Sequence, residues 1–361
     1  VFLSCLHINN FRNFNHTQIE LSGSCNLFYG NNGSGKTSIL EAIYYLILGR
    51  SFRSHLLRRI TKYKTDGFGL FGKINQQNNI ISVGIERSLT NAKRIRISGE
   101  DVVSIIEITR LLPLQLLNQN SYSLLDSGPK IRRQFIDWGL FHVEQNFLTF
   151  WCRAERVIEQ RNAAIRSGSC RAHIRAWDGE LSELGVKIHQ LREQYILDLL
   201  PIIEAILQQL LPNITIDIKY FAGWNTEVSF VEILANNIAN DLSIGYTTAG
   251  PHRADLRITV NKVPVKDALS RGQQKLLSYG MQIAQGILLK KLTNKSCIYL
   301  IDDLPAELDE QKRSLVAGIL LNLNAQIFVT GLSQQNLSDF ISKQNCVMFH
   351  VEHETVKCLA S

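Results

Sequence analysis

Gly30-Asn31-Asn32-Gly33-Ser34-Gly35-Lys36-Thr37 fits the pattern G-x-x-x-x-G-K-[ST]. Residues 26–29 before it read as a short strand, and residues 36–48 after it as a helix stopped by Gly49. A strand, a glycine-rich turn and a helix in this order make a phosphate cradle. The glycines let backbone N–H groups turn inward where side chains would block them. The positive end of the helix dipole faces the same anion. In this frame Gly30, Asn31, Asn32, Gly33, Ser34 and Gly35 wrap the phosphates, Lys36 reaches the outer ones, and the Thr37 hydroxyl ligates Mg²⁺.

A phosphate loop needs a second carboxylate for its metal, and Ile298-Tyr299-Leu300-Ile301-Asp302-Asp303 supplies one at the end of an apolar strand. Strand ends in such sheets open onto the ligand crevice. Asp302 is expected to hold Mg²⁺ through its shell and Asp303 to polarise the attacking water, with Lys36 as the other catalytic group. Two adjacent acids at a strand end are costly unless a cation is near.

Outward from these motifs the chain changes character twice. Residues 2–8, 17–21, 68–74, 80–86 and 93–97 read as strands broken by Asn and Gly. From Pro129 to about Leu211 helical periodicity takes over, and Leu181, Leu184, Ile188, Leu191 and Tyr195 form a short heptad seam. That seam is too short for a long coiled coil. It reads as an amphipathic helix in a bundle, or as a helical hairpin, kinked or ended at Pro201. Strands return at 214–221 and 255–260, followed by a helix over 272–290. The tail then alternates strand 297–301, helix 311–323 and strand 326–329, the pattern of a parallel sheet with crossover helices.

The 361 residues allow about two domains at roughly 150 each. An apolar content of 45% excludes a disordered chain. The net charge of +7 permits a polyanionic partner without requiring one. Cys5, Cys25, Cys152, Cys170, Cys297, Cys346 and Cys358 show no Cys-x-x-Cys spacing, so a zinc site is not expected, and most read as small core residues in a reducing compartment. No apolar run reaches the length of a membrane span, and no signal-peptide pattern opens the chain. The expected placement is cytoplasmic, with no membrane partner.

Leu269-Ser270-Arg271-Gly272-Gln273-Gln274-Lys275 precedes a long helix that Ser270 can cap. Beside a phosphate loop it resembles the signature motif of ABC-type ATPases, which binds the γ-phosphate of ATP held on the opposite subunit. The resemblance makes Ser270, Gly272 and Gln273 nucleotide ligands in trans, and Ala306-Glu307-Leu308-Asp309 looks like the D-loop of the same class. Two complementary half-sites per chain imply a two-fold dimer.

A closer resemblance is to the RecF family of recombination mediators, relatives of SMC heads. It is carried by Phe11-Arg12-Asn13, the phosphate loop, residues 49–54 (Gly-Arg-Ser-Phe-Arg-Ser), residues 128–138 (Gly-Pro-Lys-Ile-Arg-Arg-Gln-Phe-Ile-Asp-Trp), residues 250–256 (Gly-Pro-His-Arg-Ala-Asp-Leu) and Ile301-Asp302-Asp303. It implies an α/β fold: an ABC-type P-loop ATPase head split in sequence, with a helical second lobe and no long coiled coil. Lobe I is placed at 1–112 and 286–361, and lobe II, carrying the signature motif, at 113–285. It also implies an ATP-dependent homodimer that binds double-stranded, gapped and single-stranded DNA and hydrolyses ATP slowly, stimulated by DNA. Such a protein acts with RecR and RecO to place RecA on strands coated by SSB, in recombination, replication and the SOS response. Arg12, by its position in the family, approaches the nucleotide phosphates.

Departures from the wider ABC class are visible. Asp303 stands where Glu is usual, Val329-Thr330-Gly331 stands where many members carry a switch His, which makes Thr330 a poor stand-in for it, and the loop that contacts Mg²⁺ and water falls among Gln115, Asn118 and Gln119.

Between Gly49 and Thr65 lie Arg50, Arg53, Arg58, Arg59, Lys62 and Lys64, uninterrupted by acids and interleaved with His55 and Tyr63. Lys130, Arg132 and Arg133 form a second cluster. Such runs suit sequence-independent phosphate contacts and make these nine residues the candidate DNA surface. Three rival readings are a P-loop kinase or transferase, an SMC-like chromosome-architecture protein and a transporter ATPase. The first leaves 269–275 unexplained, the second needs far longer arms, and the third needs a membrane partner.

Overall fold

The computed structural model describes the whole chain except residues 77–78, 304–307, 342–345, 353 and 360–361. The chain forms two compact units, Val1–Ser121 with Leu289–Ser361, and Tyr122–Leu288.

The first unit contains two sheets with a helix packed on both. Strands β1 (Phe2–Phe11), β2 (Phe14–Glu20), β4 (Gly67–Gln76), β5 (Asn79–Ser88), β6 (Lys93–Ile97) and β7 (Glu100–Asp101) form an antiparallel sheet in the order β2-β1-β4-β5-β6-β7. Strands β3 (Cys25–Tyr29), β8 (Leu114–Leu117), β12 (Ile298–Ile301), β13 (Ile327–Gly331), β14 (Cys346–Glu352) and β15 (Thr355–Leu359) form the second sheet, ordered β15-β14-β3-β13-β12-β8. All its pairings are parallel except the β14–β15 hairpin. The first helix, α1 (Lys36–Leu48), leaves β3 through the glycine-rich turn and packs against β1, β4, β5 and β13. Its run Ser-Ile-Leu-Glu-Ala-Ile buries on every side, so Ile39, Leu40, Ile43 and Leu46 join one core with Leu3, Phe28, Leu70 and Phe328. Gly49 closes it at φ 67° by donating its N–H to Tyr45 O.

The second unit is mainly helical. Helix α2 (Pro129–Val143), α3 (Phe147–Arg166), α4 (Asp178–Leu210) and α5 (Phe230–Ile244) pack together beside a small antiparallel sheet of β9 (Asp217–Phe221), β10 (Asp255–Val260) and β11 (Val263–Pro264). The seam from Leu181 to Tyr195 lies on α4 and buries Leu181, Leu184, Ile188 and Tyr195, as a bundle helix should. The helix runs through Pro201 to Leu210 without ending, because Pro201 is exposed and the carbonyl it leaves without a donor can be hydrated. The chain returns to the first unit within α6 (Arg271–Thr293).

Other parts of the sequence reading also differ from the structure. Residues 113–121 belong to the first unit, because β8 pairs in parallel with β12, Leu117 opposite Ile301. Strands β14 and β15, which extend the second sheet beyond β3, had no counterpart in the sequence reading. Of the cysteines, only Cys5, Cys25 and Cys297 are buried; Cys152, Cys170 and Cys358 are exposed, and all are free thiols.

Candidate nucleotide site

The turn between β3 and α1 is built where side chains cannot go. Gly30 has φ 151°, and a Cβ there would lie 2.2 Å from Val351 O. Gly35 has φ 115°, and its Cβ would meet the Phe14 ring at 2.7 Å. Asn31, Asn32 and Gly33 form an exposed tip. Lys36 curls back over the turn, its Nζ donating to Gly30 O at 2.7 Å and Asn31 O at 2.8 Å. Burial draws the Lys36 pKa down, and the carboxylates of Asp303 and Asp302 oppose that shift. The Ser34 hydroxyl is buried with no hydrogen-bond partner among the described residues. An orphaned hydroxyl, a lysine and open backbone donors at a helix start fit a bound polyphosphate.

Opposite the turn, the end of β12 delivers the two acids. Thr37 Oγ1 donates to Asp302 Oδ1 at 2.9 Å, and Thr330 Oγ1, from the end of β13, donates to the same oxygen at 2.9 Å. Burial raises the Asp302 pKa, and the two hydroxyl donors act against it. The hard oxygen donors Thr37 and Asp302 suit Mg²⁺, whose charge would relieve the buried carboxylate. Asp303 adopts φ 57°, and its backbone N–H donates to Thr330 Oγ1 at 2.8 Å. Thr330 thus fixes the strand end that carries both acids.

The three loop candidates separate by position. Gln115 is buried within β8 opposite Tyr299, whereas Asn118 and Gln119 follow the strand's end beside Asp302, whose N–H bonds Leu117 O at 3.0 Å. Residues 306 and 307 of the D-loop-like stretch lie outside the described residues. Asp309 caps α7 (Glu310–Leu321) by accepting from Lys312 N at 3.0 Å.

Arg12 does not project freely toward the turn. Its Nε and Nη2 grip Glu41 Oε2 and Oε1 at 2.8 and 2.5 Å, and Nη1 donates to Arg59 O at 2.5 Å. Glu41 is fully buried on α1, and it also accepts from Ser51 Oγ and, at 3.5 Å, from Arg53 Nη1. Glu41 was missed by the sequence reading. The only signal for it was an acid in an otherwise apolar helical run, one turn after Thr37.

In the second unit, Ser270 and Gln273 form a reciprocal cap on α6. Ser270 N donates to Gln273 Oε1 at 2.9 Å, and Gln273 N donates to Ser270 Oγ at 3.3 Å. Ser270 is exposed, and a Cβ on Gly272 would meet nothing within 4 Å, so this helix start is open to a ligand.

The nine basic candidates divide. Arg50, Arg53, Arg58, Arg59, Lys64 and Lys130 are exposed. Lys62 is committed inward, its Nζ bonding Asn13 O and Glu354 Oε2, each at 2.7 Å. Arg132 pairs with Asp255 at 2.7 Å, and Arg133 donates to Ala254 O at 2.8 Å. These bonds tie α2 to the start of β10 rather than leaving Arg132 and Arg133 as a free cationic face, and burial lowers the Arg133 pKa.

The family model described as the RecF/RecN/SMC N-terminal domain matches residues 2–357. The DNA replication and repair protein RecF of Shewanella baltica OS155 is 42% identical over 354 residues, covering 98% of both chains. That of Shewanella oneidensis MR-1 is 42% identical over 351 residues, covering 97% of this chain and 98% of its own. A solved structure of the recombination mediator RecF with ATPrS, from the RecFOR pathway, aligns with TM-score 0.85 at 24% identity, over 99% of this chain and 98% of the other. An SMC head bound to the C-terminal winged-helix domain of ScpA aligns with TM-score 0.64 at 14% identity, over 99% and 97%.

Proposed function

The chain belongs to the RecF branch of the RecF/RecN/SMC family, whose members are DNA replication and repair proteins, and on that premise we propose that it is an ATP-gated DNA clamp. ATP with Mg²⁺ binds at the turn after β3 and is sandwiched by the Ser270–Gln273 helix start of a second copy. The observation that supports this most is the 2.9 Å bond between Thr37 and Asp302, two hard oxygen groups that meet across 265 residues of chain and would suit magnesium. Lys36 holds the outer phosphates, and Asp303 orients the attacking water. Because the short Asp303 side chain holds water loosely, hydrolysis is slow and serves as a release switch. Exposed Arg50, Arg53, Arg58, Arg59, Lys64 and Lys130 supply phosphate contacts on duplex, gapped and single-stranded DNA. The protein then works in the cytoplasm with RecR and RecO to bring RecA onto SSB-coated strands.

A gel shift with gapped DNA tests this reading. ATP with Mg²⁺ should produce a retained complex that Lys36→Met abolishes. Retention equal with and without ATP would refute ATP gating.

A further inference from the structure

Tyr63 is 84% exposed, in a chain whose other aromatic rings mostly join cores or pack on neighbouring rings. Its position is held although its ring is exposed, with the Lys64 ammonium over one face. Residues 62–65 form a turn, with Thr65 N donating to Lys62 O at 3.2 Å and Thr65 Oγ1 donating to the same carbonyl at 2.8 Å. The base of this turn is clamped by Lys62 N to Asn10 O at 2.8 Å and by the two inward bonds of Lys62 Nζ. The preceding residues are fixed as well, because Arg12 N donates to Ile60 O at 2.7 Å. The Lys64 ammonium sits 5.6 Å from the ring centroid, and Arg58 and Arg59 are exposed a few residues earlier.

A rigid turn that holds an aromatic ring out in water, amid cations with no acid between Gly49 and Thr65, is complementary to a strand offering both phosphates and a free π-face. A continuous duplex offers the phosphates only, since its bases are already stacked on both sides. An unpaired base in a gap or single strand offers both.

We propose that Tyr63 stacks on an unpaired base of single-stranded or gapped DNA while Arg58, Arg59 and Lys64 hold the adjoining phosphates. This assignment rests on the DNA-binding reading above and adds to it the residue that distinguishes unpaired DNA from duplex. Lys62 contributes by anchoring the turn rather than by touching phosphate.

The test uses the full chain with ATP and Mg²⁺, and fluorescence anisotropy on a continuous duplex and on the same duplex carrying a central single-stranded gap. Tyr63→Ala should weaken binding to gapped DNA by about fivefold to a hundredfold, the range of one lost base–aromatic stack, and duplex binding by less than about twofold. Tyr63→Phe should bind like the wild type, and the salt dependence of Tyr63→Ala should be unchanged because no charge is removed. With 2-aminopurine in the gap, wild type should quench its fluorescence and Tyr63→Ala should not. Unchanged gapped-DNA binding by Tyr63→Ala, an equal loss on both probes, or a Tyr63→Phe variant as weak as Tyr63→Ala would each overturn the assignment. Failure of the wild type to bind either probe would instead sink the DNA-binding reading, and the stacking role with it.

Discussion

Arg12 and Glu41 form a two-point ion pair, at 2.8 and 2.5 Å, that joins the end of β1 to the helix starting at the phosphate turn. Through Arg12 Nη1 and Arg59 O, and through Ser51 and Arg53, the same carboxylate also holds the basic segment. Glu41 sits one helical turn after Thr37, so α1 and residues 51–59 are joined through this carboxylate. Removing one partner of a buried pair costs about 3–5 kcal/mol, since the other charge is stranded. Glu41→Ala should therefore lower stability by about that much, and Arg12→Ala somewhat less. In a denaturation series the double variant should lose less than the sum of the two, whereas strict additivity would mean that the pair contributes nothing.

Lys36→Met should leave the fold standing. The lysine gives up two hydrogen bonds to Gly30 O and Asn31 O, each worth about 0.5–1.5 kcal/mol net. A slightly lowered melting temperature that no longer rises with ATP is the expected result. Collapse of the fold without nucleotide would make the lysine structural.

Salt titration of DNA binding separates free cations from committed ones. Replacing Arg50, Arg58 and Arg59 together by Ala should flatten the log–log slope on duplex DNA by up to about 2.7 units, about 0.9 per phosphate released. Arg132→Ala should leave the slope alone and lower stability, because its partner is Asp255. The opposite pattern would move the phosphate contacts from Arg50, Arg58 and Arg59 to Arg132.

His252 gives the second unit an acid-sensitive element. Burial lowers its pKa from 6.5 to about 4, and Nε2 bonds Thr247 O at 3.0 Å. The unfolded chain therefore takes up this proton first as pH falls. The stability is present above pH 6.5 and is lost progressively down to about pH 4, at a slope approaching about 1.4 kcal/mol per pH unit. His252→Gln keeps a donor to Thr247 and should be less sensitive between pH 6.5 and 5 than the wild type. Identical pH profiles would show that the imidazole titrates freely.

Much of this was legible in local patterns. The phosphate turn, α1 from Lys36 to Leu48 and the strand before Asp302 each carry their signal within a few residues. What the sequence hid depends on distant partners. Leu114–Leu117 reads as a strand only once β12 lies beside it. Arg132 and Arg133 look like a cationic cluster until Asp255 and Ala254 arrive from more than a hundred residues away. Lys62 looks equal to Arg58 and Arg59, but Glu354 from the far end of the chain claims it. Thr330 occupies the place of a switch His in the sequence, and its bonds make it a brace for Asp302 and Asp303.

Light scattering with and without ATP and Mg²⁺ tests the central claim most directly, with Ser270→Arg and Asp303→Asn beside the wild type. ATP should double the mass of the wild type. Asp303→Asn should hold the doubled mass for longer because it binds ATP but hydrolyses it poorly, and Ser270→Arg should bind ATP yet keep the monomer mass. A wild-type mass that is the same with and without ATP would contradict a nucleotide sandwiched between two copies.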